Sequence, residues 1–272
     1  MIDLDEVSPE NALAGAALLS AGLALAPLCV VFARRFAPPA PVFFARWRFL
    51  HAALLGAVLA LGMRFASSAS DALLEPLFGG STVPEALRQL VAGALALTAA
   101  GAVALAIAAR ADPAGVRSLG LEARGSLRAA LVGVGCYAIL APGILGASLL
   151  WPWLFERLGG DFQPQDVAVG IASLAGAERL AAGALAILVL PFLEELVFRG
   201  FLQPLFVQNL GDRGGVFLTS LVFATLHGDS ALLPILALAL LLGSLKLCTQ
   251  RLSACVAVHA LHNAVVFLLL PG

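Results

Sequence analysis

The stretch AAGALAILVLPFLEELVFRG, residues 181–200, indicates the fold class and locates the candidate site. Its first half is an uninterrupted apolar run, and residues 191–200 add two adjacent glutamates and an arginine. A helix that crosses a bilayer needs about 20 mainly apolar residues. Each charged residue in such a helix costs about 2.5–3.5 kcal/mol on insertion scales. The stretch therefore predicts a membrane-spanning helix whose charged side chains have partners.

The composition of the whole chain agrees with a membrane protein. Hydrophobic residues make up 61% of the 272 residues and charged residues only 12%, and the mean hydropathy is +0.98. Soluble domains have about half apolar and about a quarter charged residues. The formal net charge of −1 gives no indication of nucleic-acid binding. We expect an integral membrane protein whose surroundings are the lipid bilayer.

The apolar runs predict an all-α, polytopic helix bundle with about eight transmembrane helices. We interpret residues 1–127 as N-terminal helices of unassigned role and 128–272 as the helix core that holds the candidate site, within one integrated membrane domain, because the intramembrane polar residues fall in the second part. The connection 154–181 is either a surface loop or a short interfacial helix. The predicted spans are 12–33, 49–66, 90–109, 129–153, 182–203, 214–228, 231–247 and 253–270.

The distribution of basic residues predicts the orientation in the membrane. Cytoplasmic loops carry an excess of Lys and Arg, so the richer set of alternate loops is assigned to the cytoplasm and both termini to the other side. Abundant Ala and the preference for Arg over Lys indicate a bacterial plasma membrane. The richer set holds eleven basic residues, Arg34, Arg35, Arg46, Arg48, Arg110, Arg117, Arg124, Arg128, Arg213, Lys246 and Arg251, and the other set holds Arg64, Arg88, Arg157 and Arg179.

The three tryptophans fall at the ends of predicted spans. Trp47 precedes the second span, and Trp151 and Trp153 end the fourth. Tryptophan is enriched where a membrane meets water. We therefore predict that all three are interfacial anchors.

The charged residues of the opening stretch differ in their access to partners. Glu195 and Arg199 are four residues apart, so they share a helix face and can form an ion pair. Glu194 lies about 140° from Arg199 around an α-helix, and its charge must be met by another helix. Pro191 frees a backbone carbonyl one turn earlier and predicts a kink beside a cavity.

Possible partners follow in the last spans, which hold three of the four histidines. Phe223 and His227 stand in FATLH, and His259 and Asn263 lie four residues apart in HALHN. His262 is adjacent to Asn263 and points to another side of the helix. A carboxylate, histidines and an amide supply a general base, a proton carrier and donors for an oxyanion. The same groups also suit a buried structural network, which the sequence leaves open.

Three ordered motifs resemble those of the CPBP family of intramembrane endopeptidases, the CAAX protease and bacteriocin-processing (Abi) proteins. The family motifs EExxxR, FxxxH and HxxxN stand here at 194–199, 223–227 and 259–263. The resemblance covers about residues 182–270. It implies an intramembrane endopeptidase that cleaves a peptide or a membrane-protein segment.

The resemblance also implies roles for individual residues. Glu194 matches the glutamate thought to activate water together with His227, and His259 with Asn263 matches the proposed oxyanion-stabilising pair. Glu195 matches a member of the pair that shapes the site. Arg199 matches the other member of that pair, and Phe223 is the aromatic residue of the second motif, which also shapes the site.

Several alternatives stay open at this stage. We expect no cofactor, but a zinc site is chemically possible. A non-catalytic membrane scaffold or immunity protein and a proton-relay transporter are competing functions. The predicted topology also leaves a conflict, because it places Glu194 and His259 toward the cytoplasmic half but His227, at the end of the sixth span, near the outer side. The alternative zinc ligands are Glu194, His227 and His259.

Overall fold

The computed structural model describes residues 7–38, 45–78 and 83–271, and every regular element in these ranges is helical. Apolar side chains dominate these helices, and in lipid only a helix or a closed barrel satisfies all backbone polar groups internally. The predicted all-α membrane helix bundle is confirmed. The helices are α1 (Pro9–Phe36), α2 (Phe49–Phe78), α3 (Glu85–Ala111), α4 (Ser126–Arg157), α5 (Asp166–Ala172), α6 (Gly176–Ala184), α7 (Leu190–Glu195), α8 (Gln203–Thr225), α9 (Leu232–Thr249) and α10 (Leu252–Leu269).

Seven segments of the described chain are long and apolar enough to cross a membrane, whereas the sequence predicted eight spans. The difference arises because the predicted span 182–203 and residues 214–225 of the predicted span 214–228 lie in one segment, Gly176–Thr225. Gly211 interrupts this segment with φ 73° and ψ 171°, a conformation that is essentially restricted to glycine. A Cβ atom on Gly215 would lie 2.4 Å from the Cα atom of Val207, so the chain folds back at Gly211. The two predicted spans are the arms of this helical hairpin.

The hairpin brings the second motif against the first. The rings of Phe198 and Phe223, one in each arm, have centroids 5.0 Å apart at an angle of 89°. Arg199 also contacts the Phe223 ring, with its Cζ atom 4.3 Å from the centroid. Because residues at similar distances from Gly211 face each other, the end of the second arm returns to the level of the glutamate pair. This removes the depth conflict that the sequence posed.

Helices α1 and α4 approach each other at paired glycines. A Cβ atom on Gly22 would lie 2.4 Å from the Cα atom of Gly143. Close backbone approach between small residues is a common way to join helices in membranes, because lipid gives no hydrophobic drive for their association. Any larger residue at Gly22 or Gly143 would push the two helices apart.

One apolar core surrounds the hairpin and includes helices from both parts of the chain. Ala100, Ala104 and Ala108 of α3 belong to the same buried cluster as Phe201 and Phe223. Small side chains on α3 let the hairpin pack closely against it. Residues before and after position 127 therefore contribute to the packing around the candidate site.

The prediction that the tryptophans are interfacial anchors is wrong for Trp47 and for Trp151, which are both buried. Trp47 is 2% exposed, its indole Nε1 donates to the carbonyl oxygen of Phe201 at 3.0 Å, and its ring stacks on that of Phe201 at 4.8 Å. An aromatic ring that finds both a stacking surface and a hydrogen-bond acceptor inside the protein is stabilised there. The sequence could not indicate this, because Phe201 is 154 residues away in the chain.

Candidate active site

Two π-helical segments flank the glutamate pair. They are Leu185–Val189 and Leu196–Leu202, on either side of α7. A π turn widens the helix and often occurs at functional sites. The sequence analysis assumed a regular α-helix over the whole stretch, so the rotation per residue that it used is not the one observed.

The first π segment explains the position of Asn263. In a π turn each carbonyl accepts from the fifth residue ahead, as Leu185 does from Leu190. The corresponding donor for the Ala186 carbonyl would be residue 191, which is proline and has no N–H. The side-chain Nδ2 of Asn263 donates to this carbonyl at 2.8 Å. Asn263 thus replaces the backbone donor that Pro191 lacks.

Glu195 and Arg199 form the ion pair that their spacing predicted. Both side chains are 0% exposed, and Arg199 Nη1 lies 3.3 Å from Glu195 Oε1. Arg199 Nη2 donates to the carbonyl oxygen of Ala239 in α9 at 3.3 Å. Its guanidinium also covers the Phe223 ring. The arginine therefore holds α9 and the second hairpin arm against the helix that carries the glutamates.

His259 in α10 contacts both glutamates. Its Nδ1 lies 2.9 Å from Glu195 Oε1, and its Nε2 lies 3.6 Å from Glu194 Oε2. The sequence required a second helix to meet the charge of Glu194, and α10 supplies it. The Glu194 side chain keeps 17% exposure, in contrast to the fully buried Glu195. Glu194 is the carboxylate of the pair that a bound molecule can reach.

Phe223 links His227 to this cluster. The Nδ1 atom of His227 lies 2.7 Å from the carbonyl oxygen of Phe223, and the two rings have centroids 4.4 Å apart. The Phe223 ring also meets His259 edge to face at 5.7 Å. An Nδ1–H that donates to a carbonyl fixes the neutral imidazole with its lone pair on Nε2. His227 then presents Nε2 as the nitrogen that can accept a proton.

The structure joins some predicted site residues directly and others through neighbours. His259 contacts Glu194 and Glu195, and Glu195 pairs with Arg199. Asn263 instead donates to a backbone carbonyl. Over residues 7–38, 45–78 and 83–271, no group of three or more His, Cys, Asp and Glu side chains has the arrangement of a metal site.

His262 lies outside the cluster, as its place on the helix predicted. Its Nδ1 is 3.1 Å from the hydroxyl oxygen of Tyr137 in α4, and the two rings meet edge to face. This contact joins α10 to α4. His262 is therefore a packing residue beside the site.

The sequence analysis missed Gln203, which continues the polar face of the first hairpin arm. Gln203 is 1% exposed, and its Nε2 donates to the carbonyl oxygen of Gly243 at 2.8 Å. It holds α9 one turn beyond the contact that Arg199 makes. The spacing of four residues from Arg199 is the signal that could have indicated it.

A polytopic helix bundle with a buried carboxylate–histidine–arginine cluster is the kind of scaffold that carries out chemistry inside a membrane. Residues 176–265 match the family model described as type II CAAX prenyl endopeptidase Rce1-like. This match covers 90 of the 272 residues, includes the segment that holds the site and agrees with the family that the three motifs predicted. The matched family is one of proteases, and the seven long apolar helical segments of the described chain are those of an integral multi-pass membrane protein. No curated protein and no solved structure matches the chain.

Proposed function

We propose that the protein is an intramembrane endopeptidase in which Glu194 activates a water molecule for attack on a peptide bond. The observation that supports this proposal is the difference in exposure and contacts between two adjacent carboxylates. Glu195 is closed off by Arg199 and His259, whereas Glu194 keeps 17% exposure and faces His259 across 3.6 Å. A general base must reach its substrate, and only Glu194 of the two can do so.

In the proposed step, Glu194 takes a proton from water as the water oxygen bonds to the scissile carbonyl carbon. The carbonyl oxygen becomes an oxyanion, and the proton then passes to the leaving nitrogen as the C–N bond breaks. His227 orients the water or carries the proton through Nε2, because its Nδ1 is held by the Phe223 carbonyl. The step uses only residues of this chain.

The oxyanion needs donors that are already in place. His259 supplies one through Nε2–H when it is protonated, since Glu195 holds its Nδ1 side. Asn263 uses one amide hydrogen for the Ala186 carbonyl and keeps a second. The buried Glu195 carboxylate holds the His259 imidazole in place through Nδ1, as orienting carboxylates do for catalytic imidazoles.

The substrate in this proposal is a peptide or a membrane-protein segment in a bacterial plasma membrane, and both termini of the protease lie outside the cytoplasm. Cysteines placed near Arg117 and Arg213 should then react with reagents from the cytoplasmic side, and a cysteine at position 161 from the other side. Reversed reactivity at all three positions would show that the protein has the opposite orientation in the membrane.

The activity itself is tested by comparing cells that contain the wild-type protein with cells that contain Glu194→Gln at equal abundance. Peptides produced only by the wild type identify the substrate and the cleaved bond. Identical peptide sets would favour the non-catalytic scaffold.

A further inference from the structure

The turn that carries His227 is held by two side chains that lie outside all three motifs. Gln165 Nε2 donates to the carbonyl oxygen of His227 at 2.7 Å. Trp151 Nε1 donates to the carbonyl oxygen of Asp229, also at 2.7 Å. Trp151 belongs to α4, and Gln165 is the residue just before α5. Two separate elements therefore contact the turn at points two residues apart.

The turn needs such support because it ends a helix. Helix α8 ends at Thr225, and the next short helix, Asp229–Ala231, follows Gly228 with φ 89°. The carbonyl oxygen of His227 follows the last turn of α8, where helix carbonyls lack their usual backbone donors, and Gln165 supplies one. The carbonyl oxygen of Asp229 accepts from the Leu232 N–H and takes the Trp151 indole as a second donor. The indole N–H is a donor only, so Trp151 suits this place. Both donor–acceptor distances lie at the short end of the usual range for N–H···O hydrogen bonds.

The same turn determines where the His227 imidazole stands. His227 Nδ1 is bonded to its own helix through the Phe223 carbonyl, so the ring moves with the end of α8. A shift of the turn would move Nε2, the nitrogen that faces the site in the proposed mechanism. A displacement of about 1 Å can reduce a rate by about 100-fold.

We infer that Gln165 and Trp151 are positioning residues, which clamp the His227 turn and hold Nε2 in place for proton transfer. This inference rests on the proposed function, because it assigns a purpose to the orientation of His227. It gives the connection between α4 and α6 a part in the reaction, where the sequence allowed only a surface loop or an interfacial helix.

The test uses the full-length protein with Gln165→Leu, Trp151→Phe and the double variant. Trp151→Phe keeps a large ring and removes only the indole donor. Matched controls are Gln163→Leu and Trp153→Phe. Gln163 donates to the Asp161 carboxylate in the same connection, and Trp153 lies beneath Arg157.

The first readout does not depend on activity. Diethyl pyrocarbonate modifies accessible imidazoles, and mass spectrometry separates His227 from the other three histidines. We expect faster modification of His227 and faster amide hydrogen exchange over residues 226–231 in both single variants, each by about two- to ten-fold. The controls should match the wild type. Unchanged reactivity and exchange in the folded double variant would overturn the clamp.

The second readout separates positioning from simple structural support. On a substrate identified by the peptide comparison, we expect kcat to fall about ten-fold or more with little change in KM, at a temperature well below the melting temperature of every variant in detergent. A variant that loosens the turn but keeps kcat would also overturn the inference. If the wild type cuts nothing, the proposed function fails, and the reactivity of His227 still decides whether the clamp exists.

Discussion

The Nδ1 atom of His259 lies 2.9 Å from Oε1 of Glu195, although the two residues belong to different helices. The same carboxylate oxygen also accepts from Arg199 at 3.3 Å. Glu195 Oε1 therefore links α10 to the helix that carries the two glutamates, and its partly exposed neighbour Glu194 is the carboxylate that we propose acts on a substrate. The predictions below follow from this division of roles.

Replacing Glu195 with Ala should lower stability strongly. Arg199 would remain buried without its carboxylate, and breaking a buried pair in this way typically costs about 3–5 kcal/mol. Thermal unfolding in detergent measures the loss. The double variant Glu195→Arg, Arg199→Glu should recover part of the stability that Glu195→Arg alone removes, because the pair is restored in the opposite sense. Absence of any recovery would show that the two side chains are not coupled.

Asn263→Leu should destabilise the protein by about 1–3 kcal/mol, because the Ala186 carbonyl would lose the donor that replaces the missing N–H of Pro191. Asn209→Leu is the matched control. Asn209 also donates to a helix carbonyl, that of Leu205, but this carbonyl lies within α8, where backbone donors follow. Equal melting temperatures for the two variants would contradict the role assigned to Asn263.

His262→Ala should be tolerated far better than His259→Ala. The first change removes one contact with Tyr137, whereas the second leaves both glutamates without their imidazole. We expect cleavage to survive in the first variant and to be abolished in the second. Equal losses of activity in folded protein would show that the face of α10 assigned to the reaction is the wrong one.

Strong chelation should leave the activity of the purified protein intact, because the proposed step uses no metal. His227→Ala should still abolish it. Loss of activity on chelation, restored by stoichiometric zinc, would support the alternative in which Glu194, His227 and His259 hold the ion. The chelated protein should be checked for folding by its melting temperature.

The sequence predicted those features that depend on local spacing. The ion pair of Glu195 and Arg199 needs only four residues of one helix, and the apolar runs suffice for an all-α membrane bundle. The π segments and the fold-back at Gly211 depend on how the hairpin packs, which local periodicity does not contain. Pro191 did indicate an unpaired carbonyl. Only the π geometry shows that this carbonyl belongs to Ala186 and that Asn263 meets it.

The burial of Trp47 was missed for a related reason. An aromatic residue at the end of an apolar run is typical of a membrane interface. Its stacking on Phe201 depends on a contact between distant parts of the chain. The position of a tryptophan at the end of a predicted span therefore does not show whether it anchors the protein at the membrane surface or is buried.

The central claim is most directly tested by Glu194→Gln, with cleavage of an identified substrate and thermal stability measured on the same preparation. The change removes a partly buried charge and keeps the shape of the side chain, so the melting temperature should be unchanged or raised. Cleavage should vanish. If Glu194→Gln unfolds the protein or still cleaves, while Glu195→Ala is stable and inactive, the roles of the two glutamates are exchanged and the account is wrong.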